Sequence, residues 1–127
     1  MSIILTEPSA LNRVETKPVS SERGPAVITI LNNLEATMVS APGVGRAVNV
    51  TFITVGRASA GGGALVQFVF REGLAGTIVQ SVTNPETRPT LTYNPPWQLP
   101  ENTALTVQRV VGNQDAIINY HFYVSEV

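Results

Sequence analysis

Cysteine is absent from the 127 residues, histidine occurs once (His121) and aspartate once (Asp115). Without cysteine there is neither a disulfide framework nor a thiolate metal site. A single histidine rules out a metal centre built on several imidazoles, and no acidic cluster has the spacing of a calcium loop. Charge is equally scarce. Only 13% of the residues are charged, for a net of −1 at pH 7, against about 25% in an ordinary soluble domain. No dense run of Lys and Arg is present to neutralise phosphates, which argues against nucleic-acid binding. No stretch approaches the ~20 apolar residues of a membrane span, so no membrane role is expected. Near the start, Ile3, Ile4 and Leu5 form a short apolar run that gives way at once to Thr6, Glu7 and Pro8. That is too short for a signal-peptide core and lacks a basic start, so synthesis in the cytosol without export is expected.

The low charge carries a positive implication. An isolated domain usually needs a mixed charged surface to stay soluble, so a chain with half the usual density is expected to cover part of its surface with partner chains. The competing reading is a surface made polar by Thr, Asn, Gln and Ser; assembly is preferred.

What is present is β-forming. Hydrophobic residues make up 43% of the chain, mean hydropathy is +0.15, and Val, Thr, Ile and Ala recur without runs of strong helix formers. β-Branched side chains are stiff and fit a pleated sheet. The length suits one domain. Residues 1–25 carry many of the charges and three prolines with no sustained periodicity, and read as an extended N-terminal arm. Residues 26–127 read as strand, turn, strand. The expected strands are 26–31, 34–40, 46–55, 64–72, 77–83, 90–93, 103–111 and 116–127, separated by Asn, Gly and Pro turns. In 46–55, Val48, Val50 and Phe52 are expected on one face, with Asn49 and Thr51 on the other. Residues 94–97 are expected to form a loop. About eight strands so spaced indicate an all-β fold, a jelly-roll-like antiparallel β-sandwich or barrel.

Candidate chemistry is thin. A Ser-His-Asp device needs a histidine beside a nucleophile and an orienting carboxylate, and nothing in the sequence brings His121 and Asp115 together. Gly61-Gly62-Gly63 opens a strand, with no Lys-Ser/Thr after it, and is a connector rather than a phosphate cradle. Asn49-Val50-Thr51 matches a glycosylation acceptor by chance, mid-strand. The carboxylates are scattered; a pair brought together in space is the one catalytic arrangement left open. No enzyme and no cofactor is expected. Trp97 sits in YNPPWQLP, where two prolines stiffen the backbone beside Tyr93. Its indole plugs one end of the sandwich, contacts a partner chain or stacks on a sugar, in that order of preference.

The stretch LPENTALTVQRVVGNQDAIINYHFYVSEV (99–127) joins a Pro-Glu-Asn turn, a strand, a glycine turn and an aromatic-rich strand. It resembles the capsid decoration (cement) and head-fibre proteins of phages, which have a jelly-roll fold. The resemblance covers the C-terminal quarter, and the rest only in pattern. It implies a homotrimer on the outer surface of a virion, clamping neighbouring major capsid proteins, with an N-terminal arm reaching across to them. Ile3, Ile4, Leu5 and Trp97 are then the candidate capsid or partner contacts, and removal of residues 1–24 is expected to leave a folded domain with weakened capsid binding. The alternative is a receptor- or carbohydrate-binding module of a phage particle.

Overall fold

The computed structural model describes residues 17–18, 23–57, 65–83 and 89–127. Among them the chain forms strands and turns without a helix. The strands are β1 (Lys17–Pro18), β2 (Arg23–Ile30), β3 (Ala36–Val39), β4 (Arg46–Arg57), β5 (Gln67–Glu72), β6 (Thr77–Thr83), β7 (Thr90–Gln98), β8 (Leu105–Val111) and β9 (Ala116–Glu126). One sheet has the order β1-β9-β4-β7, with β2 also on β9; the other has the order β3-β8-β5-β6. Every pairing is antiparallel. The pairs β5·β6, β4·β7, β3·β8 and β2·β9 nest inside one another, while the chain alternates between sheets. That is a long hairpin rolled into a sandwich, the connectivity of a jelly roll. The all-β sandwich expected from the strand pattern is the fold observed.

β2 and β1 share one side of β9. β2 lies against Ala116–Phe122, and β1 against Ser125 and Glu126. Lys17, Pro18 and the first residues of β2 therefore join the sheet from within the segment read as an arm. The rest of that segment, including Ile3, Ile4 and Leu5, lies outside the described residues.

The core forms where the two sheets face each other. Phe68 and Phe70 of β5, Ile53 of β4, Leu105 of β8, Ile118 of β9 and Leu99 are its largest fully buried side chains. Side chains alternate across each strand, so the inward set is contributed by every second residue. Burying a side chain of this size contributes about 1.5–3 kcal/mol. The Tyr120 hydroxyl crosses between the sheets and donates to the Met38 carbonyl oxygen at 2.6 Å, satisfying a polar group within the apolar layer.

Two expectations are corrected. Val48 and Val50 are buried as expected, but Phe52 does not join them; the inward residues further along are Ile53 and Val55. Against β9 a register shift between Val50 and Phe52 inserts one residue, Thr51, into β4, while against β7 the same gap is spanned by residues 93–96. A bulge of this kind reverses which face the later side chains occupy. Phe52 thereby turns outward, where its ring meets His121 edge-on at 5.3 Å. The second correction is β7, which continues through Asn94, Pro95 and Pro96 to Gln98. The prolines are tolerated because β7 is an edge strand and they fall between its Thr92↔Phe52 and Trp97↔Val50 partners, where the ladder is interrupted.

Candidate interaction surfaces

Trp97 stands opposite Val50 on β7, half-buried and packed against the core. Its ring lies 5.5 Å from that of Tyr93, and its Nε1–H donates to Glu72 Oε2 at 2.9 Å. Glu72 ends β5 in the opposite sheet, so this bond ties the two sheets together along one flank. The Tyr93 hydroxyl makes a second link, donating to Gln80 Oε1 of β6 at 3.3 Å. Burial pushes the phenols of Tyr93 and Tyr120 above their usual pKa, because desolvation disfavours the phenolate. The indole comes from strand β7 instead of a loop and lies half-buried against the core on a flank, not over one end, of the sandwich. Glu72 as its partner was not anticipated, since only the folding of β5 onto β7 across the sandwich brings the two together.

His121 and Asp115 are not assembled into a catalytic pair. The His121 ring packs on Phe52, while Asp115 lies 3.5 Å from the Arg109 guanidinium. Along extended chain the two residues are about 20 Å apart. Arg109 is a residue that the sequence reading missed. It is 5% exposed, donating from Nε to Asn33 Oδ1 and from Nη1 to the Gln114 carbonyl at 2.7 Å. One side chain thus joins the β2–β3 and β8–β9 connections. The signal was present, because Leu105, Val107 and Arg109 share one face of β8. Among the described residues no group of three His, Cys, Asp or Glu gathers to hold a metal.

The Pro-Glu-Asn turn of the C-terminal stretch has a structural task. Glu101 Oε2 accepts from the Gly45 amide at 2.6 Å, and Asn102 Oδ1 from the Gly43 amide at 2.9 Å. The Asn102 amide in turn donates to the Arg46 carbonyl at 2.8 Å. These bonds lock the β3–β4 and β7–β8 turns together at one end of the sandwich.

The two outward faces of the sandwich differ in charge. On the β3-β8-β5-β6 sheet, Arg71 donates to the Gly76 carbonyl at 3.1 Å and to Gln108 Oε1 at 3.2 Å. Glu35 accepts from the Ala75 amide at 2.8 Å and from the Thr106 hydroxyl. On the other sheet the register places Val27 and Ile117, Asn119 and Thr54, and Phe52 and Thr92 outward. No charged side chain is described on that face. Val27 is 57% and Ile117 38% exposed. At one end of the face, the polar atoms bond to one another. Asn49 Nδ2 donates to Ser125 Oγ at 2.8 Å, and Gln98 Nε2 donates to Asn49 Oδ1 at 3.1 Å.

A chain from the acidic stable capsid structure of Helicobacter pylori bacteriophage KHP30 aligns with this one at a TM-score of 0.49 and 10% sequence identity, over 84% of this chain and 97% of that chain. No family model and no curated protein matches the sequence.

Proposed function

We propose that the chain is a structural virion protein that binds the outer surface of a phage capsid, as a homotrimer, and stabilises the lattice. The observation that carries this reading is the charge distribution. In a chain with 13% charged residues, one sheet face carries no charged side chain among the described residues, as a surface meant to be covered would require. The jelly-roll connectivity and the resemblance of 99–127 to decoration proteins support the same reading. The role is structural rather than enzymatic, and neither cofactor nor nucleic acid takes part.

The mechanism is mass action. A protein that binds the assembled lattice but not its separated subunits stabilises that lattice by the free energy of its own binding. Threefold symmetry lets one trimer touch several capsomers, so modest contacts act together through effective concentration. Ile3, Ile4 and Leu5 dock on the major capsid protein, and the exposed rim of Trp97 adds a partner contact.

The test is co-sedimentation with capsids assembled from the major capsid protein encoded alongside this chain. Wild type is expected to pellet with the capsids, and the Ile3→Ser, Ile4→Ser, Leu5→Ser triple variant to pellet at least tenfold less at equal concentration. Equal pelleting removes the apolar tip from the mechanism, and absence of wild-type binding removes the capsid role. Glycan-array signals lost in Trp97→Ala would instead favour the carbohydrate-binding alternative.

A further inference from the structure

We propose that the free edge of β2 pairs with β2 of a second copy of this chain. Residues 27–31 of the two copies align antiparallel about a two-fold axis at Thr29 and join the two sheets edge to edge. The inference goes beyond the capsid reading and does not rest on it. A two-fold axis pairs chains, and in the homotrimer proposed above it would pair one trimer with another.

A sheet edge leaves a row of backbone N–H and C=O groups without ladder partners, and proteins usually blunt it. The other edges of this sandwich are blunted. β7 carries Pro95 and Pro96, which have no N–H to offer. β3 is four residues long, and its register shifts between Thr37 and Val39. β6 has one residue, Val79, inserted where its register against β5 shifts. β2 is different. Its shift lies before Ala26, and Ala26 to Ile30 then pair in unbroken register with Tyr120 to Ala116. Among the described residues β2 pairs with β9 alone, and residues 26–31 contain neither proline nor a charged side chain. A regular edge of this kind can accept an added strand through its main chain.

The side-chain order selects a second copy as the occupant. Exposure alternates along the segment: Val27 is 57% and Leu31 64% exposed, Thr29 is exposed, Ile28 is half-buried and Ile30 is buried. Val27-Ile28-Thr29-Ile30-Leu31 also has the same chemistry read from either end, two aliphatics on each side of a threonine. Antiparallel pairing about Thr29 therefore sets Val27 opposite the second copy's Leu31, Ile28 opposite its Ile30, and Thr29 opposite its Thr29. Opposed residues share a face of the joined sheet, so the exposed aliphatics of one copy cover those of the other. A slip of one residue would oppose exposed positions to buried ones. A slip of two would oppose Thr29 to Val27 or to Leu31 and would leave the other aliphatic facing Pro25 or Asn33. Only the register centred on Thr29 matches aliphatic to aliphatic throughout, as a self-complementary two-fold contact requires. Ile117, which stands opposite Thr29 on β9 and is 38% exposed, extends the apolar patch on each side of the axis.

The chain has no cysteine, so introduced cysteines read the register directly. Opposed residues of antiparallel strands have Cα atoms about 4.5–5.5 Å apart, within disulfide range. The two copies of Val27, or of Leu31, would stand about 14 Å apart, beyond it. The test is disulfide formation in the full chain under mild oxidation, followed on denaturing gels, with far-UV circular dichroism to show that each variant is folded. Thr29→Cys is expected to form a covalent dimer at least tenfold faster than the control Ser81→Cys on β6. Val27→Cys and Leu31→Cys are each expected to match the control alone, and to cross-link as fast as Thr29→Cys when mixed. If Thr29→Cys does not fold, the mixed pair decides the matter. Cross-linking of Thr29→Cys no faster than the control overturns the proposal and leaves the edge to another partner or to none. Val27→Cys cross-linking to itself as fast as Thr29→Cys overturns it too, because the contact is then not centred on Thr29.

Discussion

Breaking the link between Trp97 and Glu72 tests the packing of the two sheets most directly. Replacing Trp97 by Phe keeps an aromatic plate against Tyr93 and the core, but removes the Nε1–H that donates to Glu72 Oε2 at 2.9 Å. A hydrogen bond to a charged acceptor contributes about 1.5–3 kcal/mol when sheltered. Both residues are only half-buried, so the freed carboxylate recovers water, and the expected loss is about 1–1.5 kcal/mol. With a urea slope of about 1.5 kcal/mol per M, the unfolding midpoint falls by roughly 0.7–1 M. The sequence has one tryptophan, so far-UV circular dichroism must follow the transition in place of fluorescence. Glu72→Ala and the double variant complete a cycle that isolates the pair, and the expected coupling is about 1 kcal/mol. A coupling below about 0.3 kcal/mol would refute the reasoning, because it would mean that the indole reaches no partner across the sandwich.

Three further outcomes are expected. Tyr120→Phe strips the donor from the Met38 carbonyl and is expected to cost about 1–2 kcal/mol by thermal or urea unfolding. Burial raises the Tyr93 and Tyr120 phenols above the ordinary 10.0, so the unfolded chain releases these protons first. Their contribution is then fully present below pH 10 and is lost as pH rises through the folded-state values, with a shallower alkaline decline in Tyr120→Phe; a pH series of midpoints checks this. Arg109→Lys keeps the charge but not the fork that reaches Asn33, Gln114 and Asp115 at once, and is expected to cost about 1–2 kcal/mol by urea unfolding. Gly112→Ala is expected to destabilise by at least about 1–2 kcal/mol by the same measurement. Gly112 has a φ of +86°, and an added Cβ would stand 2.3 Å from the Leu65 carbonyl oxygen.

The sequence by itself determined the fold class and most of the strands, but not β1 or the run of β7 past Tyr93. Period-two alternation and turn residues are local properties, readable because adjacent residues in a strand face opposite sides whatever the strand pairs with. Even Arg109 was legible as an inward position, by its spacing from Leu105 and Val107. Tertiary structure alone decided the rest. The bulge between Val50 and Phe52 depends on registers with β7 and β9, so no local pattern shows Phe52 turning outward. Trp97 and Glu72 meet because β5 and β7 lie in opposite sheets, and Glu101 reaches Gly45 because two turns far apart in sequence share one end of the sandwich. The face without a charged side chain among the described residues has the same origin. Val27, Thr54, Thr92 and Asn119 stand on four strands that become neighbours only when the hairpin rolls up. Strand pattern fixes which way a side chain points, and pairing between distant strands fixes what stands beside it.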